Sequence, residues 1–374
     1  MTISTLAQHY HRPEGIYALS HSVGPLCKDA EIALKAHYLN PWQHCAGDAW
    51  PQWLSQIEAF TQALSVLLNV NQSELCPQPS VSLGFSQWLA ASAKNRKDGK
   101  RRTVIMHEEA FASLGFAVKG LCDTYSLTLE LVSFAPNDLD AWEQALRENS
   151  VFAALITHAH SNTGVLSNVK DISKIAQRNN VLCAVDIAQS VGIIPIDIQT
   201  WSVDCVVGSC VKWLSGGPGA GFLYVPSNKV EDLAPDHVAW FSHENPFEFD
   251  IRHFKAANNA LKFWGGTPDI APFCMAAAAI NVHLSVGTQV IRAHNVSLMQ
   301  RFVANYQGII PSHYQQDEFT GSLCLPLESN AKSTIESAFQ QHKIKHDFRK
   351  NVVRLSFGII NSYNEVDKVL SVFE

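Results

Sequence analysis

The chain has 374 residues, 47% hydrophobic and 17% charged, and its 28 basic and 34 acidic side chains give a net charge of −6. This composition excludes a disordered chain, and no basic block is long enough for nucleic acid to grip. The length allows two domains around a large core. The nine cysteines are scattered without a C-x-x-C pair, and Cys183 and Cys205 fall inside apolar strands. That pattern predicts reduced core thiols in a cytoplasmic protein, not disulfides or zinc. The sixteen histidines include no H-E-x-x-H, so no metal centre is expected. No apolar run reaches membrane-spanning length, and the N-terminus has no signal-peptide pattern, so no membrane partner is expected.

In chain order, Tyr17 to Leu26 reads as a short strand, a polar turn (His21-Ser22-Val23-Gly24) and a Pro-marked helix start. Trp50 to Val70 has apolar residues at helical spacing. Ser80 is placed to cap a helix opening at Val81, and the free N–H groups of a helix start suit a phosphate. The basic run Lys94 to Arg102 reads as a solvated connector. Arg102–His107 is a predicted strand, followed by Glu109 to Leu114 around Phe111. Val151–Ala159 is a buried strand running into the polar cluster His160-Ser161-Asn162-Thr163-Gly164. A helix over Lys170–Asn179 then completes a right-handed crossover.

Three apolar strands follow. Val181–Ile187 carries Asp186 at its end, Val203–Val207 leads into Ser209-Cys210-Val211-Lys212, and Gly221–Val225 follows a Gly/Pro-rich loop. Near-continuous β-branched runs are strands buried on both faces of a mostly parallel sheet. Asp186 and Lys212 thus stand just past the carboxyl ends of buried strands, where open α/β sheets bind ligands. Helices are predicted at Ala271–Val286 and Val290–Tyr306, and strands at Thr320–Leu325 and Val352–Ser356. Arg354 lies within the last apolar strand, where it is costly unless paired, and its fork matches a carboxylate.

A buried lysine beside a buried carboxylate has two readings, a plain ion pair or a Schiff-base lysine beneath pyridoxal 5'-phosphate. The second needs a lysine of depressed pKa and an anion at the cofactor's ring nitrogen. The neighbouring residues decide between them. Asp186-Ile187-Ala188-Gln189 and Lys212-Trp213-Leu214-Ser215-Gly216-Gly217-Pro218-Gly219 resemble the class V aminotransferase group, and the second run most resembles kynureninase. Val238 to Glu244, Gly265-Gly266-Thr267-Pro268 and Asn361-Ser362-Tyr363 also resemble kynureninase segments, so the likeness spans Gly15 to Val369.

The resemblance implies an α/β fold: a large domain (41–285) with a mostly parallel mixed sheet flanked by helices, of pyridoxal-phosphate fold type I. A smaller α+β domain (286–374) and an N-terminal segment (1–40) packed on it and on the site complete the expected organisation. It implies that Lys212 and Asp186 are catalytic. It places the cofactor phosphate at Ser80, the Val81 amide and Ser209, and Phe111 against the cofactor ring. Gln189 and either Ser161 or Asn162 would meet its phenolic oxygen; the register leaves that choice open. Trp240 and Thr267 would reach the phosphate of a partner subunit, in a homodimer with shared sites. Ser22 and Arg354 would face the substrate, an amino acid.

Departures from the kynureninase pattern bear on the reaction. Val211 stands where kynureninases carry Tyr, Ala112 and Leu114 replace the usual Pro and acid after Phe111, and His21 replaces Asn. Gln189 is the desulfurase residue, where kynureninases carry His. The expectation is a kynureninase-like carbon–carbon hydrolase or lyase with a non-standard substrate. The alternatives are a class V aminotransferase, a cysteine desulfurase or selenocysteine lyase, and a non-catalytic binding protein that keeps the fold. A desulfurase needs a mobile nucleophilic cysteine, whereas Cys324 is expected to be fixed in a strand.

Overall fold

The computed structural model describes residues 2–96, 99–316, 318–328 and 331–373. Positions 97 and 98 of the basic connector lie outside them. Among the described residues, twelve strands follow one another: β1 (Ile16–Tyr17), β2 (Leu75–Gln78), β3 (Thr103–His107), β4 (Thr128–Val132), β5 (Val151–Thr157), β6 (Leu182–Asp186), β7 (Cys205–Ser209), β8 (Gly221–Tyr224), β9 (Leu323–Pro326), β10 (Ile344–Lys345), β11 (Asp347–Arg349) and β12 (Val352–Leu355).

Seven of them form one sheet in the order β2-β8-β7-β6-β5-β3-β4. Neighbours from β7 to β4 are parallel, while β8 is antiparallel to both β7 and β2. Six strands therefore point one way and β8 alone runs against them. β3 has β4 on one side and β5 on the other, so the winding reverses there and opens a crevice at the carboxyl ends. Every residue of β3, β5 and β8 is buried, as their unbroken apolar character requires.

β7 starts two residues later than the sequence suggests, at Cys205. Val203 belongs to the approach, and the Asp204 carboxylate accepts a hydrogen bond from the Cys183 N–H at 2.9 Å. The Val81–Lys94 helix buries Phe85, Trp88 and Leu89, each contributing about 2 kcal/mol of apolar transfer. Arg101 is no mere solvated residue of the connector. Its Nη1 donates to the carbonyls of Val151, Asn179 and Asn180, tying the start of β5 to a helix end.

The main hydrophobic core runs from Ile57 to Ile280 around the large sheet. A second core gathers Leu298, Phe302, Leu323, Val353 and Val366 around the antiparallel sheet β11-β12-β9, and takes Ile16 and Ala18 from the N-terminus. A third joins Leu6, Tyr10 and Cys27 to Trp213, Ala279 and Ile360. The N-terminal segment is thus stitched to the C-terminal part: β1 pairs in parallel with β10, and Leu19 bridges Ser356. Among the described residues, no single helix is long and apolar enough to cross a membrane.

Burial also sets a pH limit. His158 and His283 are pushed down to about 4 and His160 to about 3, all chiefly by desolvation. A histidine held neutral in the fold contributes stability above its unfolded pKa near 6.5, and that stability is lost as pH falls. We therefore expect about 3 kcal/mol to be lost for each of His158 and His283 between pH 6.5 and 4. Urea midpoints across that range should fall steeply; a flat profile would mean that the three rings stay solvated.

Candidate active site

Neighbouring strand ends converge on a cavity of about 370 Å³. Asp186 is the last residue of β6 and is 7% exposed. Its Oδ1 accepts from the Ala188 N–H at 2.9 Å. Burial pushes its carboxyl above the usual range, while the Lys212 charge and that N–H act against the shift. Lys212 follows β7 by three residues and is partly buried. Desolvation depresses its pKa, Asp186 opposes this, and the Arg354 and Arg349 guanidiniums push it lower still. Among the described residues its Nζ has no hydrogen-bond partner; it lies 5.9 Å from the centre of the Phe111 ring. A desolvated amine without a partner is poised to attack an aldehyde.

At the opposite wall, Ser80 caps the Val81–Lys94 helix, its Oγ accepting from the Leu83 N–H at 3.2 Å. The Val81 and Ser82 amides, in the first turn, have no intrahelical acceptor and line the cavity. Ser209 and Gly219 face them across it. Thr157, at the end of β5, also lines the cavity, and its buried Oγ1 has no partner. The turn carrying Ser22 closes on the catalytic backbone. The Gly24 N–H donates to the Val211 carbonyl at 2.8 Å, and a Cβ on Gly24 would stand 2.1 Å from the Lys212 carbonyl oxygen.

The C-terminal sheet supplies the mouth. Arg354 is 4% exposed and pairs through Nε and Nη2 with Asp347, its cross-strand neighbour. Its Nη1 donates to the Ser161 carbonyl at 3.0 Å. One N–H on each terminal nitrogen is left. His21 joins the same carboxylate, Nε2 to Asp347 Oδ1 at 3.1 Å, with Nδ1 at 2.9 Å from the Ser356 hydroxyl. Burial pushes the Asp347 carboxyl up, but hydrogen bonds from His21 and Arg354 win and hold it well below the carboxylate range. Burial pushes His21 down, against the pull of Asp347.

A family model described as aminotransferase class-V matches residues 86–369. The chain belongs to the class V aminotransferase family. An uncharacterized aminotransferase of Bacillus subtilis is 27% identical, over 86% of this chain and 84% of its own. A kynureninase of Geobacillus thermodenitrificans is 24% identical, over 98% and 89%. Among solved structures, an apo cysteine desulfurase of Thermococcus onnurineus superposes with TM-score 0.83 at 18% identity, over 96% of this chain and 94% of its own. A C-DES mutant with glycine covalently linked to its PLP cofactor does so with TM-score 0.85 at 16% identity, over 96% of each.

Class V relatives are pyridoxal-phosphate enzymes, and so is this chain, on fold type I. Its residues fit the group. The orphaned Thr157 hydroxyl, the unused first-turn amides, the partnerless Lys212 amine and the buried Asp186 carboxylate, one oxygen of which accepts from the Ala188 N–H, gather around one cavity. Ser80, Val81, Phe111, Ser161, Asp186, Gln189, Ser209 and Lys212 all line it.

Five further candidates lie off the cavity wall. Of the pair left open by the sequence, Ser161 faces the cavity and Asn162 does not. The Asn162 Nδ2 donates to Glu109 Oε2 at 2.8 Å and its Oδ1 accepts from Arg349, so its amide is already engaged. Ser22 is half-buried beside the cavity without lining it, and its neighbour His21 is the residue tied into the mouth. Trp240 sits in an aromatic cluster with Trp50, Phe241 and Phe249, and Thr267 is exposed. Arg354 stands behind Ser161. The sequence reading passed over Thr157, Asp347 and Arg349. Only Thr157 carried a plain signal, as a polar residue ending a buried strand.

Proposed function

We propose that this class V enzyme is a kynureninase-like carbon–carbon hydrolase or lyase acting on an amino acid other than kynurenine. The observation that carries this reading is the hydrocarbon on the cavity wall. Val211 and Leu114, the latter 1% exposed, stand where kynureninases carry a tyrosine and an acid. The bound cofactor supplies an electron sink for the bonds at the substrate's α-carbon. Around it, Asp186 would hold the proton on the ring nitrogen, the Ser80 turn would anchor the phosphate, and Lys212 would hold the cofactor and move protons. Arg354 offers its remaining N–H pair to the α-carboxylate.

Desulfurase chemistry is disfavoured despite the structural likeness. Cys324 is 2% exposed on β9, its thiol donates to the Ser161 carbonyl, and burial pushes its pKa up to about 12. Such a thiol has neither the mobility nor the thiolate fraction for sulfur transfer. Aminotransferase activity is the second reading, because it needs no group beyond those present.

A homodimer with shared sites belongs to this proposal. Trp240 and Thr267 lie away from their own cavity, and apolar Phe247, Phe249 and Ile251 are exposed beside Trp240, Ile251 at 97%. A second copy covering that patch is the simplest occupant. The free state of all nine cysteines supports a reducing, cytoplasmic setting.

Product analysis after incubation with a panel of amino acids tests the reading. Carbon–carbon cleavage products are expected, with kynurenine turned over poorly. Turnover of kynurenine at kcat/KM on the order of 10⁴ M⁻¹s⁻¹ would overturn it, as would clean exchange of an amino group with a keto acid.

A further inference from the structure

The mouth of the site holds two guanidiniums with different charge balances. Arg354 is neutralised by Asp347 through a side-on pair. Arg349, at the end of β11, forms no salt bridge among the described residues; Asp347 and Glu109 act on it only from a distance. Its Nη1 donates to the Ser161 hydroxyl at 3.1 Å and to the Asn162 carbonyl oxygen at 2.5 Å, both uncharged. The nearby acid Glu109 is already bonded to the Asn162 amide and does not pair with Arg349. Among the described residues, the Nε and Nη2 of Arg349 have no partner, so its whole side-on fork is unused.

Position makes that fork useful. Arg349 is half-buried, and its Cζ lies 5.5 Å from the centre of the Phe111 ring, which lines the cavity. Ser161, its other anchor, lines the cavity as well. Asp347 and Arg349 are two apart on one strand and face the same way, so both guanidiniums lie on one face, against the cavity-lining Ser161. A partly desolvated guanidinium held by neutral acceptors, with its bidentate edge open, is a site for an oxyanion.

We propose that Arg349 recognises a second acidic group, on the side chain of the substrate, so that the enzyme takes dicarboxylic amino acids or their sulfinate counterparts. This rests on the proposed function in one respect, that Arg354 takes the α-carboxylate. With both arginines engaged, the substrate lies across the mouth between them.

The test uses the cofactor-loaded protein and two sets of probes. The first set pairs amino acids with neutral isosteres: aspartate with asparagine, glutamate with glutamine, and cysteine sulfinate with cysteine, followed by the change in visible absorption. The second set lacks an amine, succinate and glutarate against butyrate, followed by calorimetry. In each set the acid is expected to bind roughly 10- to 100-fold tighter than its partner, the worth of a charge-assisted pair. Arg349→Gln should erase that preference while leaving the weaker partner's affinity unchanged, and Arg349→Lys should restore part of it. Equal binding of acid and isostere would overturn the proposal. So would a parallel loss for both in Arg349→Gln, which would make Arg349 a positioning residue. If dicarboxylates keep their preference but no amino acid changes the spectrum, the recognition by Arg349 stands and the proposed amino-acid reaction falls.

Discussion

Lys212→Ala is expected to abolish turnover, lowering kcat by roughly 10⁴-fold or more, the upper range for a positioned proton-transfer group. The loss should exceed that of any other single change, because one amine both holds the cofactor and moves the proton. The geometry leaves no substitute. Among the described residues Lys212 Nζ has no hydrogen-bond partner, and desolvation with the Arg354 and Arg349 charges lowers its pKa. Folding should be spared, since removing a partly buried ammonium relieves a desolvation cost. The check is twofold. Borohydride reduction of the wild-type protein should fix the cofactor on Lys212 and bleach its visible absorption, and Lys212→Ala should show no such fixation. A label on any other lysine, or a variant within tenfold of wild-type kcat, would refute the assignment.

Asp186→Asn should have the second-largest effect, with opposite signs in the two forms of the protein. The folded pKa of Asp186 is raised by burial. Its favourable contribution is therefore present at pH below the unfolded value near 4 and is lost as pH rises through the folded value. At neutral pH the buried carboxyl costs the cofactor-free fold stability relative to the unfolded chain, and asparagine removes that cost. Cofactor-free Asp186→Asn is thus expected to melt at or above the wild-type temperature. The loaded variant should gain less from cofactor and lose on the order of 10²–10³-fold in kcat, the cost of one charge-stabilising group. Melting curves with and without pyridoxal phosphate decide this; a cofactor-free variant that melts well below wild type would mean that Asp186 is an anchor of the fold.

Much of this site was legible because sheet geometry makes it so. Asp186 and Lys212 end consecutive buried strands, and Ser80 is a helix cap; each is a local rule that places a side chain at the carboxyl edge. The choice between Ser161 and Asn162 was not legible, since one step along a turn swings a side chain from the cavity to Glu109. Arg349 and Asp347 were passed over for a related reason. β11 is three residues long and partly exposed, so it has no apolar run to announce it. β11 and β12 are joined by the two residues Lys350-Asn351, where Lys350 takes φ +53°. A tight hairpin there sets Asp347 opposite Arg354, which is the register found. Trp240 and Thr267 were read from family likeness, and a single chain does not bring them to the cavity that Lys212 lines. The reversed β8 escaped notice because periodicity carries no information on direction.

The stitching of the N-terminus to the last strands has a consequence for synthesis. His21 meets Ser356 across 335 residues of chain, and Ile16 pairs with Ile344. The segment around Ile16 to His21 must therefore wait for one more than 300 residues later. The strand ends and helix start that line the chain's own cavity, from Ser80 to Gly219, all precede β9 to β12 in the chain. A nascent chain can thus assemble its cofactor cradle while the mouth, with Arg349 and Arg354, has yet to be made. The capacity to bind the cofactor arises early and the capacity to select a substrate arises last, so a half-made chain carries a reactive centre that nothing yet restrains.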